Sequence, residues 1–171
     1  MSLDSFKESV GSLWDNLAEG WKHLTESAAG ALTRFKPGEA TGLPPKQDID
    51  DPFYMPSRSW AMLGSDVFED ETRLVVRLEI PGMEKQDFSI EVRDDVLVVS
   101  GEKRFLGEDG TDSVGRWRIM QCAYGNFTRS VPLEVAVLAD QASATYTNGV
   151  LRIQFPKTTP AAPQLVRVQV D

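Results

Sequence analysis

The hydrophobic period changes along the chain. From Leu3 to Phe35, the residues Leu3, Phe6, Val10, Leu13, Trp14, Leu17, Trp21, Leu24, Ala28, Leu32 and Phe35 recur at three- and four-residue spacings. At about 100° per residue, that spacing gathers them into one arc of roughly 100°. The pattern predicts an N-terminal amphipathic helical region over residues 1–36. Ser2 or Asp4 would cap it, Gly11, Gly20 and Gly30 would weaken it, and Pro37-Gly38 ends it. Residues 37–59 then carry Pro37, Pro44, Pro45, Pro52 and Pro56, the composition of a linker.

From residue 60 to 157 the period falls to about 2. In "TRLVVRLEI", Leu74, Val76, Leu78 and Ile80 alternate with Arg73, Val75, Arg77 and Glu79 before a turn at Pro81-Gly82. "FSIEV" sets Phe88, Ile90 and Val92 against Ser89 and Glu91, and Asp94-Asp95 turns the chain into "VLVVSG". After an acidic, glycine-bearing loop come "RWRIMQCAY", "GNFTRSVPL", "ASATY" and "VLRIQFP". The last two flank Asn148-Gly149, the strongest short-range hairpin signal. About seven or eight short strands separated by regular turns predict an all-β fold, an immunoglobulin-like antiparallel β-sandwich. Residues 158–171 form a proline-bearing tail, expected to be flexible, that ends in the alternating run "LVRVQV". A strand carried on such a spacer is suited to pairing with a sheet edge or groove.

Charge and composition narrow the function. The formal net charge of −8 argues against nucleic acid, whose phosphates need clustered Lys and Arg. The one cysteine, Cys122, cannot form an intrachain disulfide and fits a reducing compartment. With no secretory signal pattern at the N-terminus, the expected location is cytoplasmic. The one histidine, His23, has no identifiable partner, so neither a metal site nor a nucleophile–base pair is expected. Asp94-Asp95 reads as a solvated turn rather than an acid–base pair. No catalytic residue, metal or cofactor is therefore expected. Residues 1–36 hold four basic against five acidic side chains, whereas a membrane-surface helix is usually rich in Lys and Arg. Self-association, or capture of other proteins' apolar surfaces, suits the stripe better.

Four segments together resemble the small heat shock protein (alpha-crystallin) family: "LEIPGMEKQDFSIEV", "LVVSGEKR", "YGNFTRS" and "ATYTNGVLRIQFPK". Within the last, Ala144, Asn148, Gly149, Val150, Leu151, Ile153, Pro156 and Lys157 follow the family's closing pattern. Gln121-Cys122 and Leu133-Glu134 depart from it. The resemblance implies an alpha-crystallin domain over residues 60–157 and an ATP-independent holdase that binds partly unfolded proteins as a dynamic homo-oligomer. Phe6, Val10, Trp14, Leu17 and Trp21 would bind clients. Residues 105–119 would carry an exchanged strand, with Arg116, Trp117, Arg118 and Arg129 at the dimer interface. Val166 and Val168 would form the tail motif, with Val168 and Val170 as the alternative register, entering a groove beside Phe88, Ile90, Ser143 and Ala144 of a neighbour. Two other readings are a p23-like co-chaperone and a membrane-stabilising amphipathic stress protein.

Overall fold

The computed structural model describes residues 30–56, 59–107 and 115–158. The client-binding residues Phe6, Val10, Trp14, Leu17 and Trp21, the tail pair Val166 and Val168, and part of the acidic loop lie outside them. By its contacts the chain divides into two compact units, one comprising Met1–Gly64 with Arg104–Phe127 and the other Ser65–Lys103 with Thr128–Asp171.

The second unit carries most of the strands. A four-stranded antiparallel sheet runs in the order β3 (Ser65–Glu69), β4 (Arg73–Glu79), β9 (Val150–Pro156), β8 (Ser143–Thr147). A three-stranded sheet has the order β5 (Phe88–Arg93), β6 (Val96–Lys103), β7 (Gly125–Pro132). The alternating runs predict this directly. On β4, Leu74, Val76 and Leu78 are buried and stand opposite Phe155, Ile153 and Leu151 of β9. From β6, Leu97 and Val99 supply further fully buried side chains. Burying each such side chain contributes about 1.5–3 kcal/mol. Val75 departs from the simple alternation, being buried on the other face of β4. The turns are as chemical as the strands: Asp94 and Asp95 adopt φ of 47° and 60°, Asn148 and Gly149 φ of 53° and 79°. Left-handed values at both central residues match the twist of a two-residue hairpin.

The first unit differs from the sequence expectation in two places. The helical stripe ends before its last members, because Leu32–Phe35 is a strand, β1, paired antiparallel with β2 (Ser59–Met62). Thr33 and Phe35 are buried on one face of β1, so period 2 wins over the helical spacing once β2 pairs along its edge and Phe127 packs on Phe35. The proline-bearing stretch contains short 3-10 turns at Glu39–Thr41 and Lys46–Asp48. Thr41 is fully buried, with its hydroxyl oxygen accepting the Gly38 N–H at 2.8 Å. The stretch "RWRIMQCAY" forms no continuous strand: Trp117 makes one parallel bridge, to Ile49.

Candidate functional sites

In the second unit, β5 and β8 frame a groove of about 250 Å³ whose lining includes Phe88, Ile90, Ala144, Tyr146 and Leu151, with Lys85 at its rim. The period-2 register aims Phe88 and Ile90 to the same side of β5, half-buried, while Ser89 and Glu91 point away and are exposed. Of the expected groove residues, Phe88, Ile90 and Ala144 come together. Ser143 is exposed at the start of β8, opposite Gln154, and is not part of the lining. Tyr146 was missed. Its ring packs against Phe88 at 4.9 Å, and its hydroxyl donates to the Ile80 carbonyl at 2.8 Å. Its place in the Asn-Gly hairpin was legible, but its partners lie some sixty residues away along the chain and leave no local signal. Apolar walls with no acid–base pair suit such a groove to receiving small apolar side chains.

Within the same unit, β3 is a terminal strand of its sheet, and its Val67 and Phe68 are exposed. Terminal strands present free backbone groups for pairing. Arg129, on β7, donates from Nη2 to Ser65 Oγ of β3 at 3.2 Å. Its Nε is buried without a hydrogen-bond partner, and burial pushes its guanidinium pKa downward. Asp70 closes the turn after β3. The Arg73 guanidinium and the Thr72 N–H hold its carboxyl well below the usual carboxylate range.

In the first unit, residues 116–118 are clamped to residues 47–50. The Trp117 N–H donates to the Asp48 carbonyl at 2.7 Å, and the Asp50 N–H donates to the Trp117 carbonyl at 2.8 Å. An extended segment places residues two apart on one side, so Arg116 and Arg118 share the Asp50 carboxylate, at 2.9 and 2.7 Å. The Trp117 ring meets Phe105 edge-on at 5.1 Å, and Phe105 meets Tyr124 at 5.2 Å. Burial raises the Tyr124 pKa, with Cys122 adding to it. Next along the chain, the Asp51 carboxylate accepts the N–H groups of Met120 and Phe53, each at 2.9 Å, and these hold its pKa down, Met120 first. Arg116, Trp117 and Arg118 thus stand together in the first unit, and Arg129 belongs to the second. No sequence signal pointed to Asp50, because one acidic residue in a proline-bearing stretch has many equivalents.

Around the residues just after this clamp lies a cleft of about 680 Å³, lined among others by Phe53, Met55, Trp60, Ile119 and Met120, with Cys122 exposed at its edge. Among the described residues, no group of three or more His, Cys, Asp or Glu is placed to hold a metal ion, and no helix is long and apolar enough to cross a membrane.

A family model described as the Hsp20/alpha crystallin family matches residues 66–171. The chain is 33% identical over 117 residues to a 17.6 kDa class I heat shock protein of Arabidopsis thaliana, covering 64% of this chain and 74% of the relative. It is 30% identical over 95 residues to a probable 15 kDa heat shock protein of Leptospira interrogans, covering 56% of this chain and 69% of the relative. A 17.8 kDa class I protein of Solanum lycopersicum is 32% identical over 98 residues, covering 57% of this chain and 62% of its own length. Among solved structures, heat shock protein 16.0 of Schizosaccharomyces pombe is similar with a TM-score of 0.52 and 25% identity, covering 64% of this chain and 96% of that one.

Proposed function

This chain belongs to the Hsp20/alpha crystallin family, and from that premise we propose that it is an ATP-independent holdase, which captures partly unfolded proteins and keeps them from aggregating. The single observation that carries the reading is the family match over residues 66–171, within which the described residues form the four- and three-stranded sheets. The physical chemistry agrees. Non-native chains aggregate through exposed apolar surface and unpaired strand edges, so a holdase needs adaptable apolar surface and no catalytic apparatus. The stripe of Phe6, Val10, Trp14, Leu17 and Trp21 supplies that surface, and the net charge of −8 keeps a loaded complex soluble.

Assembly follows from the sandwich. The segment 105–119 reaches the exposed edge of β3 on a second subunit, making a strand-exchanged dimer with Arg116, Trp117, Arg118 and Arg129 at its interface. Val166 and Val168 enter the groove at Phe88 and Ile90 on a neighbouring dimer. Each tail contact is weak alone and gains strength from the number of copies.

The test is client protection without nucleotide. A heat-labile enzyme is warmed with and without the chain, while light scattering follows aggregation and native mass spectrometry follows assembly. Suppression near equal molar ratio by a large particle is the expected result. Full aggregation beside a monomeric or dimeric chain would sink the holdase reading.

A further inference from the structure

We infer that residues 47–51 are a latch: they hold residues 116–120 to their own chain, and the strength of that hold sets how fast subunits exchange the segment 105–119. The consequence for exchange rests on the strand-exchanged dimer proposed above; the hold itself does not.

The backbone part of the latch is the parallel bridge between Ile49 and Trp117. The Trp117 N–H donates to the Asp48 carbonyl at 2.7 Å, and the Asp50 N–H donates to the Trp117 carbonyl at 2.8 Å. The sequence limits this pairing at both ends. A parallel ladder would continue by receiving the Asp48 N–H on one side and the N–H of residue 52 on the other. The Asp48 N–H is already spent on the Pro45 carbonyl at 2.9 Å, in the turn that opens the stretch. Residue 52 is proline and has no N–H to give. The bridge therefore stays one residue long, which suits a contact that has to open.

Side chains extend the hold. The Asp50 carboxylate takes Arg116 at 2.9 Å and Arg118 at 2.7 Å, and Arg116 also donates to the Gln47 carbonyl at 3.1 Å. One residue further on, the Asp51 carboxylate accepts the Met120 N–H at 2.9 Å. The groups engaged here are the ones the proposed dimer interface needs. While both guanidinium groups sit on Asp50 and the Trp117 ring sits against Phe105, residues 116–118 cannot offer them to a partner. The linker and the partner subunit therefore compete for one set of side chains. The two arginine side chains are 57% and 79% exposed, so their attraction to Asp50 is screened by salt, whereas the backbone bridge is not. The latch thus has a salt-sensitive half and a salt-insensitive half.

Light and heavy-isotope full chains would be mixed, and the appearance of mixed dimers followed by native mass spectrometry. D50N removes the charge that both arginines share and should mix about fivefold faster than the parent chain. Raising ammonium acetate from about 0.05 M to about 0.5 M should speed the parent and leave D50N little changed. The variant D50C/R118C/C122S closes the latch covalently. Residues 50 and 118 follow the bridged pair Ile49 and Trp117 in the same direction, so they are neighbours about 4.8 Å apart. That spacing lies within the roughly 4.4–6.8 Å between the Cα atoms of a disulfide. Oxidised, this protein should all but stop mixing; after reduction it should mix as fast as D50N, so it serves as its own control for folding. One rate in the oxidised and reduced forms, or in D50N and the parent, overturns the latch and leaves strand exchange standing. A parent chain that forms no dimer removes strand exchange instead. The latch is then read at the Trp117 amide, where D50N should quicken hydrogen exchange and the disulfide slow it. One exchange rate in all three proteins overturns the hold on residues 116–120.

Discussion

Gly125 shows how little freedom some positions have. Its φ is +118°, and a Cβ built there would sit 2.5 Å from the carbonyl carbon and oxygen of Lys36 and from the nitrogen of Pro37. Those atoms are backbone, held by the reciprocal bonds between Lys36 and Asn126 at 2.9 Å, so they cannot rotate away. Gly125→Ala is expected to cost at least about 2 kcal/mol, from left-handed strain and the backbone clash together. Urea unfolding followed by fluorescence reads it, and a midpoint equal to that of the parent chain would rule the contact out. Gly149 is a milder case: at φ +79° its missing Cβ would lie 3.1 Å from Pro81, so a side chain there would be strained and would press the hairpin turn away from Pro81 by a few tenths of an ångström.

Among the elements, the clamp between residues 47–50 and 116–118 has two kinds of bond with different reach. The Asp50 carboxylate serves two exposed arginines, and exposed ion pairs are worth about 0–1 kcal/mol. The backbone pair through Trp117 is short and directional, at 2.7 and 2.8 Å. Asp50→Ala is therefore expected to change global stability by less than about 1 kcal/mol. It should nevertheless speed hydrogen exchange at the Trp117 amide several-fold, because the arginines no longer hold the segment against Asp48. Equal exchange in both proteins would mean that the backbone bonds and the Phe105–Trp117 contact hold the segment alone. If the segment exchanges into a dimer as proposed, it must first let go of its own chain before it can reach the β3 edge of a partner.

For the whole molecule, the outcome to follow is particle mass. If Val166 and Val168 join dimers through the groove at Phe88 and Ile90, replacing both valines with glycine removes the apolar side chains that fill it. Particle mass by light scattering should then fall to that of a dimer, while the sandwich keeps its melting temperature, since β4, β6 and β9 supply most of its fully buried side chains. An unchanged mass would show that assembly runs through other surfaces, the stripe at Trp14 and Trp21 first among them.

The strands were legible because their chemistry is local. Alternation in "TRLVVRLEI" and "VLRIQFP" decides which side chains face inward, and Asn148-Gly149 and Asp94-Asp95 decide where the chain reverses, so the sandwich and the placing of Phe88 and Ile90 on one face needed no coordinates. The family motifs lie in the same stretch and were readable for the same reason. What only the tertiary structure decided depends on partners distant in sequence. Leu32–Phe35 continues a helical spacing and became a strand when Ser59–Met62 came to lie beside it. "RWRIMQCAY" reads as a strand, yet only Trp117 pairs, because Asp48 and Asp50 meet it at a single bridge. Tyr146 closes the groove through Ile80 and Phe88 rather than through anything near it in the chain. Periodicity reports which face of a segment is apolar; only the folded chain determines what covers that face.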